Sequence, residues 1–127
     1  MANVIPFAFR GELFSGTHNF SSGGNQFKIA LYTANPYTTS STAYDTTNEV
    51  SSGGGSNYTA GGEVLGSQAV AASTAVASVD FADATWSSAT FTAAFAAIYN
   101  DTNSDKLCVV LDFGGNKTAT NGTFKIT

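Results

Sequence analysis

The run from Trp86 to Phe113 constrains the fold of this chain more than any other segment. Its first half carries large aromatic side chains of one parity, spaced by alanines: Phe91, Phe95 and Tyr99. A β-strand places residues of equal parity on one face of a sheet. Turn-forming residues occupy positions 100–105, and every residue at 107–111 is then apolar, which is typical of a strand covered on both faces. The run therefore predicts a central β-hairpin built for packing.

Shorter strand patterns occur elsewhere along the chain. They lie at residues 26–33, 63–65, 69–71, 76–81 and 122–127, the last of them after a turn predicted at 114–117. Together they predict a mainly β fold: an antiparallel β-sandwich or barrel-like domain of about six to seven short strands. At 127 residues, the chain is expected to form a single β-rich domain over residues 1–127.

The N-terminal segment, residues 1–16, is predicted to be a short helix or an extended arm. Apolar residues recur there at helical spacing: Ile5, Phe9 and Leu13. This spacing favours a helix over about residues 7–15. Phe7 and Phe9 also alternate, which leaves the extended arm as the alternative.

Residues 34–57 are dominated by Ser, Thr, Asn and Gly, and Asn35-Pro36 breaks the preceding strand pattern. This composition predicts a long surface loop. Loops of this length are usually functional or mobile.

The chain carries few charges. Charged residues make up 11% of the sequence, against roughly 25% in typical soluble domains. The surface is therefore expected to consist mostly of hydroxyl groups and small side chains, which are easily covered by another protein. The net charge is −4 and the five basic residues are scattered, so nucleic-acid binding is disfavoured. No membrane span or cleaved export signal is expected, and the sequence is interpreted as a soluble protein made in a cytoplasm.

No residue pattern indicates catalysis, a cofactor or a metal. Residues 101–105 match the opening of a calcium loop, but Lys106 stands where the required glycine should be. His18 is the single histidine and has no acid beside it in the sequence, so a solvated or hydrogen-bonded loop histidine is expected. Cys108, the single cysteine, lies in an apolar run and is expected to be a buried small hydrophobe. The chain is not expected to be an enzyme, because its carboxylates lie mostly in polar turns and at strand ends.

Five tyrosines allow two interpretations. Exposed aromatic rings stack on sugars, and Tyr37 and Tyr44 in the long loop are candidates for exposure. Tyrosine is also favoured at protein interfaces, because it supplies a large contact area at low entropic cost.

Several segments together resemble small virion proteins of tailed bacteriophages, of the capsid decoration (cement) type. The matching segments are residues 27–33, 47–50, 58–62, 84–93, 98–101, 110–114 and 122–126. The most distinctive combination is Tyr-Thr-Ala-Gly-Gly at 58–62, with Trp86 and the Tyr-Asn-Asp turn at 99–101.

This resemblance implies a protein that binds the outer capsid surface and stabilises the phage head by burying protein surface. It implies the major capsid protein as partner, a homo-oligomer with a trimer favoured, and a place on the virion after synthesis in the host bacterium. The candidate contact residues are apolar or aromatic residues outside the alternating strands: Val4, Ile5, Phe7, Phe9, Tyr37 and Tyr44. The alternative is a tail or fibre module that binds a host surface glycan.

Overall fold

The computed structural model describes residues 3–127. Within them lie one helix and six strands: α1 (Phe7–Phe14), β1 (Phe27–Tyr32), β2 (Glu63–Leu65), β3 (Ala69–Ala72), β4 (Ala77–Asp80), β5 (Ala84–Asn100) and β6 (Lys106–Ile126). The predicted mainly β, antiparallel fold with a short N-terminal helix is confirmed. No helix in the described residues is both long and apolar enough to span a membrane.

The strands form two antiparallel sheets. The larger has the order β2-β1-β5-β6, and β3 pairs with β4 in a separate two-stranded sheet. The predicted central hairpin is the β5–β6 pair. Its first strand also pairs with β1 over six residues, from Phe27 opposite Asn100 to Tyr32 opposite Phe95. Within the predicted hairpin, β5 therefore lies inside the main sheet and β6 forms one of its edges.

β5 and β6 are much longer than the short strands that the sequence predicts, at 17 and 21 residues. A straight strand of 17 residues would span roughly 55 Å at about 3.3 Å per residue. The pair is interrupted by four register shifts, at Trp86/Ala89, Ala89/Phe91, Ala93/Phe95 and Ile98/Tyr99. Because bulges bend the strand that carries them, they allow such long strands to fit a domain of this size.

The turn predicted at 114–117, with a separate last strand after it, is wrong. Gly114 and Gly115 have positive φ values of 76° and 147°, but β6 runs past them without reversing direction. Ala93 pairs with Lys117 and Phe95 with Asp112. The four residues 113–116 therefore face a single residue of β5, and the glycines make an irregularity in the strand instead of a turn.

The main sheet is covered on both faces, and its two cores are separate. The larger core contains three residues of β1 together with aromatic residues of β5 and β6: Phe27, Ile29, Leu31, Trp86, Phe91 and Phe124. The smaller core lies on the other face and includes Ala30, Tyr32, Tyr37, Ala97, Tyr99, Leu107 and Val110. As expected for the apolar run at 107–111, β6 contributes side chains to both.

The prediction that Phe91, Phe95 and Tyr99 share one face of the sheet is wrong. Phe91 lies in the larger core, whereas Phe95 and Tyr99 pack in or against the smaller one. The change of face falls at the register shift between Ala93 and Phe95: Ala93 still belongs to the larger core, whereas Ala97 lies in the smaller one.

Candidate interaction surface

The N-terminal arm is fixed to the edge of the main sheet. Val4 exchanges both backbone hydrogen bonds with Val110, at 2.9 and 2.8 Å, and Phe7 N–H donates to the carbonyl of Thr39 at 2.9 Å. Pro6 between them is buried. Val4 is half-buried and packs against the smaller core, so part of its side chain is already covered within the chain.

Helix α1 confirms the expected helix within a residue, and it has an inner and an outer face. Phe9 faces inwards, with its ring 5.0 Å from that of His18 and 6.2 Å from that of Phe20. Phe7 and Phe14 face outwards and are 59% and 95% exposed. Residues seven apart lie on the same side of a helix, so two phenylalanines form an apolar outer face on this helix.

His18 fixes the inner face of α1 to the main sheet. Its side chain is fully buried, and its Nε2 lies 2.9 Å from Glu12 Oε1. The Nδ2 amide of Asn100 donates to the Nδ1 of His18 at 3.0 Å. His18 Nδ1 is therefore the acceptor and Nε2 the donor to Glu12. The expected hydrogen-bonded histidine is present, with an acid brought to it by the helix six residues earlier.

Glu12 has a second partner, the ammonium group of Lys106 at 3.1 Å. Burial opposes the charged form of Glu12, but hydrogen bonds from His18 and Lys106 outweigh it and lower the pKa of this carboxyl. One ionised carboxylate thus links α1 to the loop at His18 and to β6.

Cys108 lies beside this group, with its Sγ 3.8 Å from His18 Nδ1. A cysteine, a histidine and an acid in this order resemble a nucleophilic site. However, burial raises the pKa of the Cys108 thiol to about 12, and Nδ1 of His18 already accepts from the Asn100 amide. The thiol is therefore protonated at neutral pH and packs as a small apolar side chain.

The expectation that Tyr37 is exposed is wrong: it is only 3% exposed. Its hydroxyl bonds that of Tyr32 at 2.5 Å and accepts from the backbone N–H of Asp45 at 2.9 Å. Tyr44 is half-buried and stacks on Tyr99 with ring centroids 4.6 Å apart. An amphipathic side chain over an apolar strand gains more from packing its ring than from standing in water.

Glu49 holds the 34–57 segment against the sheet. Its carboxylate accepts from the Tyr44 hydroxyl, from the Tyr58 hydroxyl at 2.7 Å and from the Gly61 N–H at 2.7 Å. Burial, together with the bond to Glu49, raises the pKa of both tyrosines. This segment contains no helix or regular strand, but its polar network makes it a cover for the core.

The β3–β4 hairpin has one wholly apolar face. Val70 pairs with Val79 and Ala72 with Ala77, while Ala69 pairs with Asp80 and Ala71 with Ser78. Directly paired residues of antiparallel strands point to the same side. The first four side chains therefore form an apolar face, and Asp80 and Ser78 lie on the other one.

An apolar cleft separates this hairpin from α1. Its volume is about 510 Å³, and its lining residues are all apolar or sulfur-containing: Ile5, Phe9, Leu13, Phe20, Ala77, Val79, Phe81, Ile98, Cys108 and Val109. The arm and helix supply one wall, β4 supplies the other, and β5 and β6 supply the floor.

The residues predicted as contacts from the sequence lie in three different regions of the structure. Ile5 and Phe9 line the cleft, Phe7 lies on the outer face of α1, and Val4 and the two tyrosines belong to the smaller core. Sequence reasoning missed Phe14 and the hairpin valines. The exposed valines of the β3–β4 hairpin could have been found from one signal, the lack of any charged residue from 64 to 79.

Comparisons with known proteins add no relative. A scan of protein-family models and searches of curated proteins and of solved structures find no match to this chain.

Proposed function

We propose that this chain is a virion structural protein of a tailed bacteriophage, which binds the outer surface of the capsid and stabilises the head. The observation that carries the proposal is the outer face of α1. Phe7 and Phe14 stand on it at 59% and 95% exposure, on a helix that the Glu12–His18 contact fixes to the sheet. Exposed apolar groups on a rigid support are typical of interaction sites.

The composition supports binding by surface burial. Charged residues make up only 11% of the sequence, and Arg10, the charge beside Phe7, lies over the Phe7 ring at 5.6 Å, where a cation–π contact favours it. Little charge has to be desolvated when another protein covers such a surface. On a capsid the same contact is repeated many times, so a modest affinity at each site acts multivalently when the sites are linked.

The proposed partner is the major capsid protein, and the proposed state is a homo-oligomer, with a trimer favoured. The chain would be made in the host bacterium and reside on the virion. The order of sequence segments that resembles decoration proteins supports this assignment. The glycan-binding alternative loses its main support, because Tyr37 is buried and Tyr44 is stacked against Tyr99.

Binding to phage heads tests the proposal. Heads of the encoding phage, assembled without this chain, are mixed with purified protein and sedimented. We expect the wild-type protein to co-sediment, and the double variant Phe7→Ser/Phe14→Ser to bind at least about tenfold more weakly, since two large apolar side chains are lost from the contact.

Val64→Ser is the matched control, because Val64 is 52% exposed on β2; we expect it to bind like wild type. Removing residues 1–14 is a less specific test, since it also deletes Glu12 and its bond to His18. Equal binding of the double variant and wild type would contradict the proposal. So would a reconstruction of the phage particle that places the chain on the tail.

A further inference from the structure

We infer that the cleft between α1 and the β3–β4 hairpin is a self-association site, covered by a second copy of this chain. This inference rests on the homo-oligomer part of the proposed function and not on capsid binding. It concerns a different surface from the outer face of α1, namely the hairpin and the cleft beside it.

The hairpin lacks cover of its own. All eight residues of β3 and β4 are exposed, and within the described residues each of these strands pairs only with the other. An isolated two-stranded hairpin is marginally stable at best in water. A partner packed against its exposed valines would therefore stabilise this hairpin.

The apolar face of the hairpin points into the cleft. Val79 and Ala77 line the cleft, and their cross-strand partners Val70 and Ala72 share their face. Val79 nevertheless remains 41% exposed. The space of about 510 Å³ is thus bounded by apolar groups on three sides and is open to water on the fourth.

The absence of charge favours a second copy as the occupant. No charged residue lies between Glu63 and Asp80, so this surface has nothing to pair with a charged partner. A surface that is apolar and charge-free can be covered by another copy of the chain without repulsion between like charges, in a dimer or in a ring such as a trimer. The small side chains of β3 and β4 also allow two hairpins to stack at the spacing of about 10 Å that packed sheets adopt.

The exposed apolar surface is broader than the cleft. Five apolar side chains around the cleft and on the hairpin are each 41–64% exposed: Ile5, Leu13, Val70, Val76 and Val79. Val76 at the tip is 64% exposed, so it extends the apolar surface beyond the cleft itself. A small apolar ligand in the cleft would leave this tip uncovered.

Light scattering coupled to size-exclusion chromatography, over a concentration series, tests the inference. We expect the wild-type protein to elute at a multiple of its 13.0 kDa chain mass. Val70→Asp places a charge on the face towards the cleft, and we expect it to weaken association at least about tenfold, since a buried unpaired charge is strongly unfavourable.

Ala71→Asp is the matched control, because the same charge then lies on the opposite face of the same strand; we expect its association to equal that of the wild type. Circular dichroism should report the same fold for both variants, since their side chains stand outside the two cores. A wild-type chain that stays monomeric at all concentrations would overturn the inference. Association that survives Val70→Asp, or that both variants weaken equally, would overturn it as well.

The two proposals fail separately. If the chain associates through the hairpin but does not bind phage heads, the capsid proposal is wrong and the inference stands. If Val70→Asp is the only variant that loses association and still binds heads, the two surfaces act independently.

Discussion

The β5–β6 pair and the β3–β4 pair are both antiparallel hairpins, but their side chains have different surroundings. β5 and β6 carry Trp86, Phe91, Tyr99 and Phe124, which are buried in two cores on opposite faces of the sheet. β3 and β4 contain only Ala, Val, Ser and Asp, and every residue is exposed.

This difference separates the residues that fold the chain from those free to bind. Large side chains bury the area that offsets conformational entropy, so β5 and β6 stabilise the isolated chain. Valine and alanine on an uncovered hairpin contribute little to that stability. Substitutions in the two hairpins should therefore have effects of different size and kind.

The largest effect is expected at Trp86. Trp86→Ala should lower the free energy of unfolding by about 3–5 kcal/mol, as removal of a large buried aromatic side chain does. Trp86→Phe should cost less than half as much, because the indole Nε1–H has no hydrogen-bond partner among the described residues and its removal relieves a buried, unpaired donor. Urea unfolding measures both losses. It is followed by circular dichroism, because Trp86 is the only tryptophan and both variants lack its fluorescence.

Equal losses in the two variants would contradict this account of the indole N–H. A loss below about 1 kcal/mol in Trp86→Ala would contradict the assignment of Trp86 to a packed core.

The second effect concerns Gly62, just before β2. A Cβ on Gly62 would lie 1.9 Å from the carbonyl oxygen of Ile29, at a φ of +81°. Gly62→Ala should therefore cost about 2–5 kcal/mol, the sum of left-handed strain and overpacking against backbone. Gly55 has the same φ with nothing within 4 Å of a Cβ, so Gly55→Ala should cost only the strain, about 1–2 kcal/mol. Similar losses at both positions in urea unfolding would contradict the close approach of Gly62 to β1.

The sequence predicts elements that depend on local pattern. The spacing of Ile5, Phe9 and Leu13 identifies α1, and alternation identifies β1 within a residue. Prediction from the sequence fails where tertiary contacts decide the local structure. Glycines at 114–115 suit a turn or a bulge equally, and only the partner strand selects the bulge.

The same limit applies to the candidate site. Exposure of Tyr37 depends on whether its hydroxyl finds a buried partner, and it finds Tyr32 and Asp45 only after the loop has folded over the sheet. Ile5 and Phe7 are 46% and 59% exposed, and their contact with a partner stays a prediction. Phe14 was missed because a helical repeat alone does not show which face packs against the sheet.

A smaller effect, dependent on pH, is expected at Glu12. A carboxyl whose pKa is lower in the folded chain stabilises it above the unfolded value, here 4.5, and that contribution disappears as pH falls through the folded pKa. Glu12→Gln should therefore lower the free energy of unfolding at pH 7 by about 1 kcal/mol, the scale of a hydrogen bond to a charged group in a partly exposed site.

The gap between Glu12→Gln and wild type should narrow as pH falls below 4.5 and should close below the lower pKa of folded Glu12, where both side chains are neutral. Glu63→Gln, at an exposed position of β2, serves as the control and should stay within about 0.5 kcal/mol of wild type. A gap of constant size across this pH range would show that Glu12 does not stabilise the fold through its charge.

The smallest effect on the free energy of unfolding is expected at Val79 in the β3–β4 hairpin. Val79 is 41% exposed and Val110 is 1% exposed, so the same substitution probes both hairpins. Val110→Ala should cost about 2 kcal/mol, from lost burial and the cavity left behind, whereas Val79→Ala should change the free energy of unfolding by less than about 0.5 kcal/mol in dilute protein. At higher concentration Val79→Ala should lower the apparent stability relative to wild type, because stability gained through association rises with protein concentration. Urea titrations at two protein concentrations separate these contributions. Equal, concentration-independent losses for both variants would mean that the β3–β4 hairpin belongs to the core of the single chain, and the distinction between a folding hairpin and a binding hairpin would be lost.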